Sequence, residues 1–158
     1  AEGWMNNVVQ KTLDESVPQT RLLDLFSGRG TFSGTLLNYG PVDAFEGNKK
    51  AIDLLSNAGS DFALNAQVRD LFENPLQAKD LNNYSTVVID PPRAGAEAQV
   101  QELAISKSPT VIYVSCNPET FARDAKILED GGYNFQTAYP IDQFLWSAHL
   151  EVVGVFRR

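Results

Sequence analysis

The feature that most limits what this chain can fold into is its alternation of short apolar runs with helical patterns. RLLDLF (21–26), VDAFE (42–46), AQVRD (66–70), TVVID (86–90) and TVIYVS (110–115) read as strands. Most are β-branched or aromatic and nearly continuous in apolarity, as strands covered on both faces are. Between them residues 31–38, 49–57, 97–106 and 119–130 read as helices, and residues 4–14 form another ahead of the first strand. Strand–helix alternation builds βαβ units and predicts an α/β fold with a doubly wound, mostly parallel sheet. The ending breaks the rhythm. FQTAYP (135–140) and HLEVVGVFRR (149–158) are two strands with no helix between them, so the last should run antiparallel to its neighbour. The expected sheet has about seven strands, with one antiparallel strand near its edge.

A chain of 158 residues suits a single domain, 1–158, with one sizeable core. Its apolar stretches are too short to span a membrane, and no basic–apolar–small leader is visible. The one cysteine, Cys116, has no intrachain disulfide partner, which points to a reducing, cytoplasmic compartment.

The loops after the strands carry the chemistry. The first strand runs into SGRGTFSG (27–34), where Gly28 and Gly30 let the backbone turn sharply and approach a ligand. Glu46, ending the second strand, is placed to accept hydrogen bonds from ribose hydroxyls, and Asp70, ending the third, to meet the far end of a nucleoside. This pattern fits a dinucleotide as well as S-adenosylmethionine; a tight turn without a ligand is the plainer alternative. The fourth strand ends in DPPRAG (90–95). Its two prolines fix φ and remove two donors, holding Asp90 extended where a carboxylate can hydrogen-bond a flat heterocycle. The alternative is a strand stop and nothing more.

The fifth strand leads to Cys116, with Asn117 as a natural N-cap and Pro118 at the first helical position. A thiol just ahead of a helix N-terminus is favoured as thiolate; a lone cysteine is otherwise most often an inert buried one. In the last strand, period-two alternation puts Ser147, His149 and Glu151 on one face. Glu151 enters an apolar run, where burial would raise its pKa toward that of a useful base, unless that face is solvated. For His149 a structural role is expected.

Together DLFSGRGTF, DPPRAG, VSCNPET with ARD following, and the tail DQF…H.E resemble the RNA uracil-5-methyltransferases, which act on tRNA and ribosomal RNA. Order and spacing agree from about residue 20 onward. The resemblance implies a Rossmann-like methyltransferase fold and methyl transfer from S-adenosylmethionine to carbon 5 of a uridine. It implies Cys116 as nucleophile, Glu151 as base and Asp90 as a contact to the target base. It also implies Asp24, Phe26, Gly28, Gly30, Glu46, Asp70 and Asp90 as cofactor-site residues. The sequence departs from the family in three ways. Phe144, Leu145, Trp146 and Ser147 stand where F-P-x-T is usual; the family's upstream glutamine segment has no clear equivalent; and its RNA-binding and central domains, sometimes with an iron–sulfur cluster, are not in this chain. One cysteine cannot hold such a cluster, so no metal is expected here.

A net charge of -7 agrees with that last departure. Affinity for RNA comes largely from neutralising phosphates, so the RNA partner, tRNA or rRNA, is expected to be gripped mainly by other domains, with this chain a C-terminal fragment of a larger enzyme. Three rival functions share parts of this pattern. They are an S-adenosylmethionine-dependent RNA methyltransferase of other base specificity, a nicotinamide-dependent oxidoreductase, and a non-catalytic S-adenosylmethionine-binding domain.

Overall fold

The computed structural model describes residues 2–16, 18–142 and 150–158. Its described strands are β1 (Leu22–Leu25), β2 (Val42–Glu46), β3 (Leu64–Val68), β4 (Thr86–Ile89), β5 (Thr110–Ser115), β6 (Asn134–Asp142) and β7 (Leu150–Arg157). They form one seven-stranded sheet in the order β3-β2-β1-β4-β5-β7-β6. All pairs from β3 to β5 are parallel, while β7 lies antiparallel between β5 and β6. The helices are α1 (Glu2–Asp14), α2 (Ser33–Leu36), α3 (Lys49–Ala58), α4 (Ala78–Leu81), α5 (Glu97–Ile105) and α6 (Pro118–Asp130). The doubly wound α/β fold and the antiparallel strand next to the edge are as the sequence pattern required.

Period-two alternation sends the two faces of each central strand into different cores. Leu23, Val87, Ile89, Val111 and Tyr113 face one cluster with Val100, Leu103 and Leu128 from α5 and α6. Leu22, Val88, Ile112 and Val114 face the other, with Met5, Val8 and Val9 of α1 and Leu36 of α2. The buried stripe of α1 (Met5, Val8, Val9, Thr12, Leu13) follows helical spacing. Asn117 caps α6, its side chain accepting from Glu119 N, and Pro118 stands at the first helical position.

Three elements depart most from the sequence pattern. β3 begins and ends two residues early, so Asp70 lies beyond the strand. Its side chain accepts from the amides of Phe72 and Glu73 and turns the chain there. α2 is one turn, because the glycine turn continues as far as Phe32. The short α4 had no periodic signal to announce it.

Candidate active site

Consecutive strands run outward from β1 to β3 in one direction and from β4 to β5 in the other. The winding therefore reverses between β1 and β4, where open α/β sheets bind ligands at the carboxyl ends of their strands. The loops that meet there are built from unusual backbone. Phe26 has φ 58, a conformation that side chains rarely adopt, and Gly28 (φ 54) and Gly30 (φ 94) follow. A Cβ on Gly30 would lie 2.5 Å from Leu55 Cδ1, whereas one on Gly28 would meet nothing within 4 Å. Glu46 ties this loop to the second one. Its carboxylate accepts from Gly28 N at 3.1 Å and from Asn48 N at 2.8 Å.

Phe26, Glu46, Gly47, Asp70, Leu71, Phe72, Asp90, Pro91 and Pro92 line a cleft of about 560 Å³. The structure thus brings four of the expected site residues, Phe26, Glu46, Asp70 and Asp90, to one cavity. Phe72 joins them, its ring centroid 5.3 Å from that of Phe26. Sequence reasoning missed Phe72; the signal was a large aromatic left 47% exposed in a polar turn.

Asp24 lies beneath the cleft, fully buried, with Oδ2 accepting from Ser33 Oγ at 2.5 Å. Its Oδ1 has no partner among the described residues, nor do Ser27 Oγ and Glu151 Oε2. Burial pushes the Asp24 carboxyl up to about 7; the Ser33 hydrogen bonds oppose this and the charge of Glu46 adds to it. Asp90 also rises to about 7, first through burial, then through the charges of Asp24 and Glu151. Both aspartates therefore hold a proton far above the usual carboxylate range, and a cation placed among them would be welcomed.

Cys116 is half-buried at the end of β5. The Ser115 hydroxyl and the Asn117 backbone bond one another on either side of it, at 3.0 Å in both directions. The register pairs Ser115 with Val152, so Glu151 at the start of β7 lies at the same end of the sheet as Cys116, one strand away. Neither residue lines the cleft itself. Asn117 Nδ2 and Thr120 Oγ1 both donate to the carbonyl of Arg93, which brings the DPPRAG loop against the start of α6. Ser147 and His149 lie outside the described residues. Among those described, no group of three or more His, Cys, Asp or Glu is arranged to hold a metal ion, and no helix is long and apolar enough to cross a membrane.

Comparison with known proteins agrees with this arrangement. The family described as tRNA (Uracil-5-)-methyltransferase matches residues 3–158. An uncharacterized RNA methyltransferase of Agrobacterium fabrum is 46% identical over 142 residues, which are 87% of this chain and 34% of that protein. The 23S rRNA (uracil(1939)-C(5))-methyltransferase of Bordetella parapertussis is 37% identical over 150 residues, 88% of this chain and 32% of that one. Among solved structures, the Pyrococcus abyssi tRNA (uracil-54, C5)-methyltransferase in complex with S-adenosyl-L-homocysteine superposes with a TM-score of 0.79. It is 32% identical, with 97% of this chain and 38% of that one covered. The chain thus spans about a third of the length of the curated relatives it matches. With its winding reversal, its loops and its motifs in the family's order, the chain belongs to the tRNA (uracil-5-)-methyltransferase family.

Proposed function

We propose that this chain is the catalytic domain of a longer enzyme that methylates carbon 5 of a uridine in tRNA or rRNA. The methyl comes from S-adenosylmethionine, Cys116 is the nucleophile and Glu151 the base. The observation that carries the reading is the shared end of β5 and β7, which puts a half-buried thiol and a carboxylate side by side beside a nucleoside-sized cleft.

The residues present fit S-adenosylmethionine. Glu46 at the end of β2 suits ribose hydroxyls, and Asp70 with Phe72 suits the adenine end. The unpartnered Asp24 Oδ1 and the raised Asp90 suit the cationic methionine end. When bound, that cofactor supplies an electrophilic methyl on a sulfonium. Carbon 5 of uracil is a poor nucleophile by itself. The Cys116 thiolate adds to carbon 6, and the electron pair of the ring double bond moves toward carbon 5, which takes the methyl. Glu151 then removes the proton from carbon 5. The pair left behind re-forms the double bond and expels the thiolate. Asp90 contacts the target ring from the DPPRAG loop. The uridine must leave its stack to reach these groups, and RNA is held mainly by parts of the enzyme outside this chain.

The test is a pair of variants in an enzyme with its RNA-binding parts. Cys116→Ala should form no covalent RNA complex. Glu151→Gln should attack, methylate and stall, so that methylated adduct accumulates on denaturing gels and is identified by mass spectrometry. Turnover by Glu151→Gln at the wild-type rate would place the base elsewhere. Methylation of uridine by Cys116→Ala would sink the covalent mechanism.

A further inference from the structure

The segment ARD (122–124) matches the family's pattern, yet neither of its charged residues lines the cleft. Both are spent on the DPPRAG loop. Asp124 is fully buried in α6. Its Oδ2 accepts from Ala96 N at 2.8 Å and from the Tyr113 hydroxyl of β5 at 2.5 Å. Its Oδ1 accepts from Arg123 Nε at 2.8 Å. Arg123 in turn donates from Nη2 to the carbonyl of Ala94 at 3.1 Å and approaches Glu97 at 3.7 Å. Between these contacts sits Gly95 at φ +73. A Cβ there would come within 2.6 Å of Arg123 Nη2 and 2.7 Å of Asp124 Oδ2, so the loop backbone lies directly on the pair.

The two ends of this loop are thus held by different parts of the molecule. Asp90 N donates to Leu25 O of β1 at 3.2 Å, which fixes the loop's start on the cofactor side. Its later half, Arg93 to Ala96, is fixed to the helix that starts one residue after Asn117. Two prolines leave few donors for the loop to hold itself.

We propose that Asp124, with Arg123, is a positioning residue. It locks the loop bearing Asp90 to the helix behind Cys116, so that the two side chains address one target ring in a fixed relation. The inference rests on the covalent reading above. It concerns geometry rather than contact, since Asp124 touches neither cofactor nor base. A buried carboxylate holding an amide, a phenol and a guanidinium at once is a rigid three-way joint. A shift of order 1 Å at such a joint is enough to cost about 100-fold in rate.

Arg123→Gln is the lead variant, because the Arg123 side chain is 39% exposed, whereas that of Asp124 is fully buried. Asp124→Asn is the stronger one, and Arg123→Lys keeps the charge but not the fork. The enzyme with its RNA-binding parts is given RNA carrying 5-fluorouridine. Fluorine cannot leave carbon 5 as a cation, so the adduct persists and is counted. The rate of adduct formation should fall about 10- to 100-fold in Arg123→Gln and Asp124→Asn. Lysine should fail to restore it. Affinity for S-adenosylhomocysteine should not change, since β1 still holds the loop's start. In this chain alone, exchange of the Ala96 amide should accelerate about tenfold or more in both variants. Wild-type adduct rates would overturn the proposal, as would a parallel loss of cofactor affinity and melting temperature, the mark of a merely structural role. Unchanged Ala96 exchange would overturn the joint itself. If the wild type forms no adduct while Ala96 exchange accelerates in the variants, the joint stands and the covalent reading falls.

Discussion

Two buried aspartates differ in how fully their carboxylates are partnered. Asp43 and Asp24 lie one register step apart on neighbouring strands, on opposite faces of the sheet. Burial alone would raise Asp43, but hydrogen bonds from Arg21, Tyr84 and Asn65 outweigh it and hold its carboxyl below the usual range. Asp24 has only Ser33 and rises to about 7. Because its folded pKa lies above the unfolded one, it favours the fold fully below about pH 4, and that contribution is lost as the pH rises to about 7. Urea unfolding of the wild type should therefore show stability falling between about pH 4 and pH 7. Asp24→Asn should flatten that fall and gain on the order of 1–3 kcal/mol at pH 8. The same variant should bind S-adenosylmethionine more weakly in a calorimetric titration, because the cation loses its carboxylate. Equal affinity in wild type and variant would show that Asp24 serves packing alone. The resemblance named Asp24 as a cofactor-site residue, but its raised pKa was not legible in the sequence. DLF announces a strand end, but the missing partner on Oδ1 exists only once Ser33 has folded against Oδ2.

Elements were legible in proportion to their burial. β1, β2, β4 and β5 are almost wholly buried, so their runs are continuous in apolarity and their ends fall within a residue or two of expectation. β3 is an edge strand with Asn65, Gln67 and Val68 exposed, and its weaker signal let Asp70 pass for a strand residue. Phe26, Glu46 and Asp90 could be brought to one cleft because each ends or follows a legible strand; pairing Cys116 with Glu151 needed the register of β7 on β5. The glycine turn itself separates a steric role from a ligand role. Gly30→Ala adds left-handed strain and a collision with Leu55, and should cost about 2–4 kcal/mol by thermal unfolding. Gly28→Ala meets no atom and should cost only about 1–2 kcal/mol. Its added methyl should nonetheless weaken binding of S-adenosylhomocysteine at least about tenfold, where the backbone must come close to the ligand. A Gly28→Ala variant that binds as well as wild type would make the turn a structural device only.

The whole molecule carries 20 acidic against 13 basic side chains. Several of the basic ones are engaged within the fold, as in Arg21 with Asp43, Lys49 with Asp53 and Lys126 with Asp130. This chain alone should bind RNA poorly in a gel-shift titration at low and at physiological salt. Strong binding that collapses with salt would reveal a phosphate-contacting face. The placement of β7 also bears on how the protein is made. Synthesis runs from N- to C-terminus, so the residues of the cleft and Cys116 are made before Glu151 is added. Until residues 150–157 emerge, the outer edge of β5 has no strand to bond, and every residue of that strand belongs to the interior. Such an edge is a template for joining another unfinished chain. One late strand therefore both covers the outer edge of β5 and brings the Glu151 carboxylate to the end of the sheet that holds Cys116, in the same step of translation.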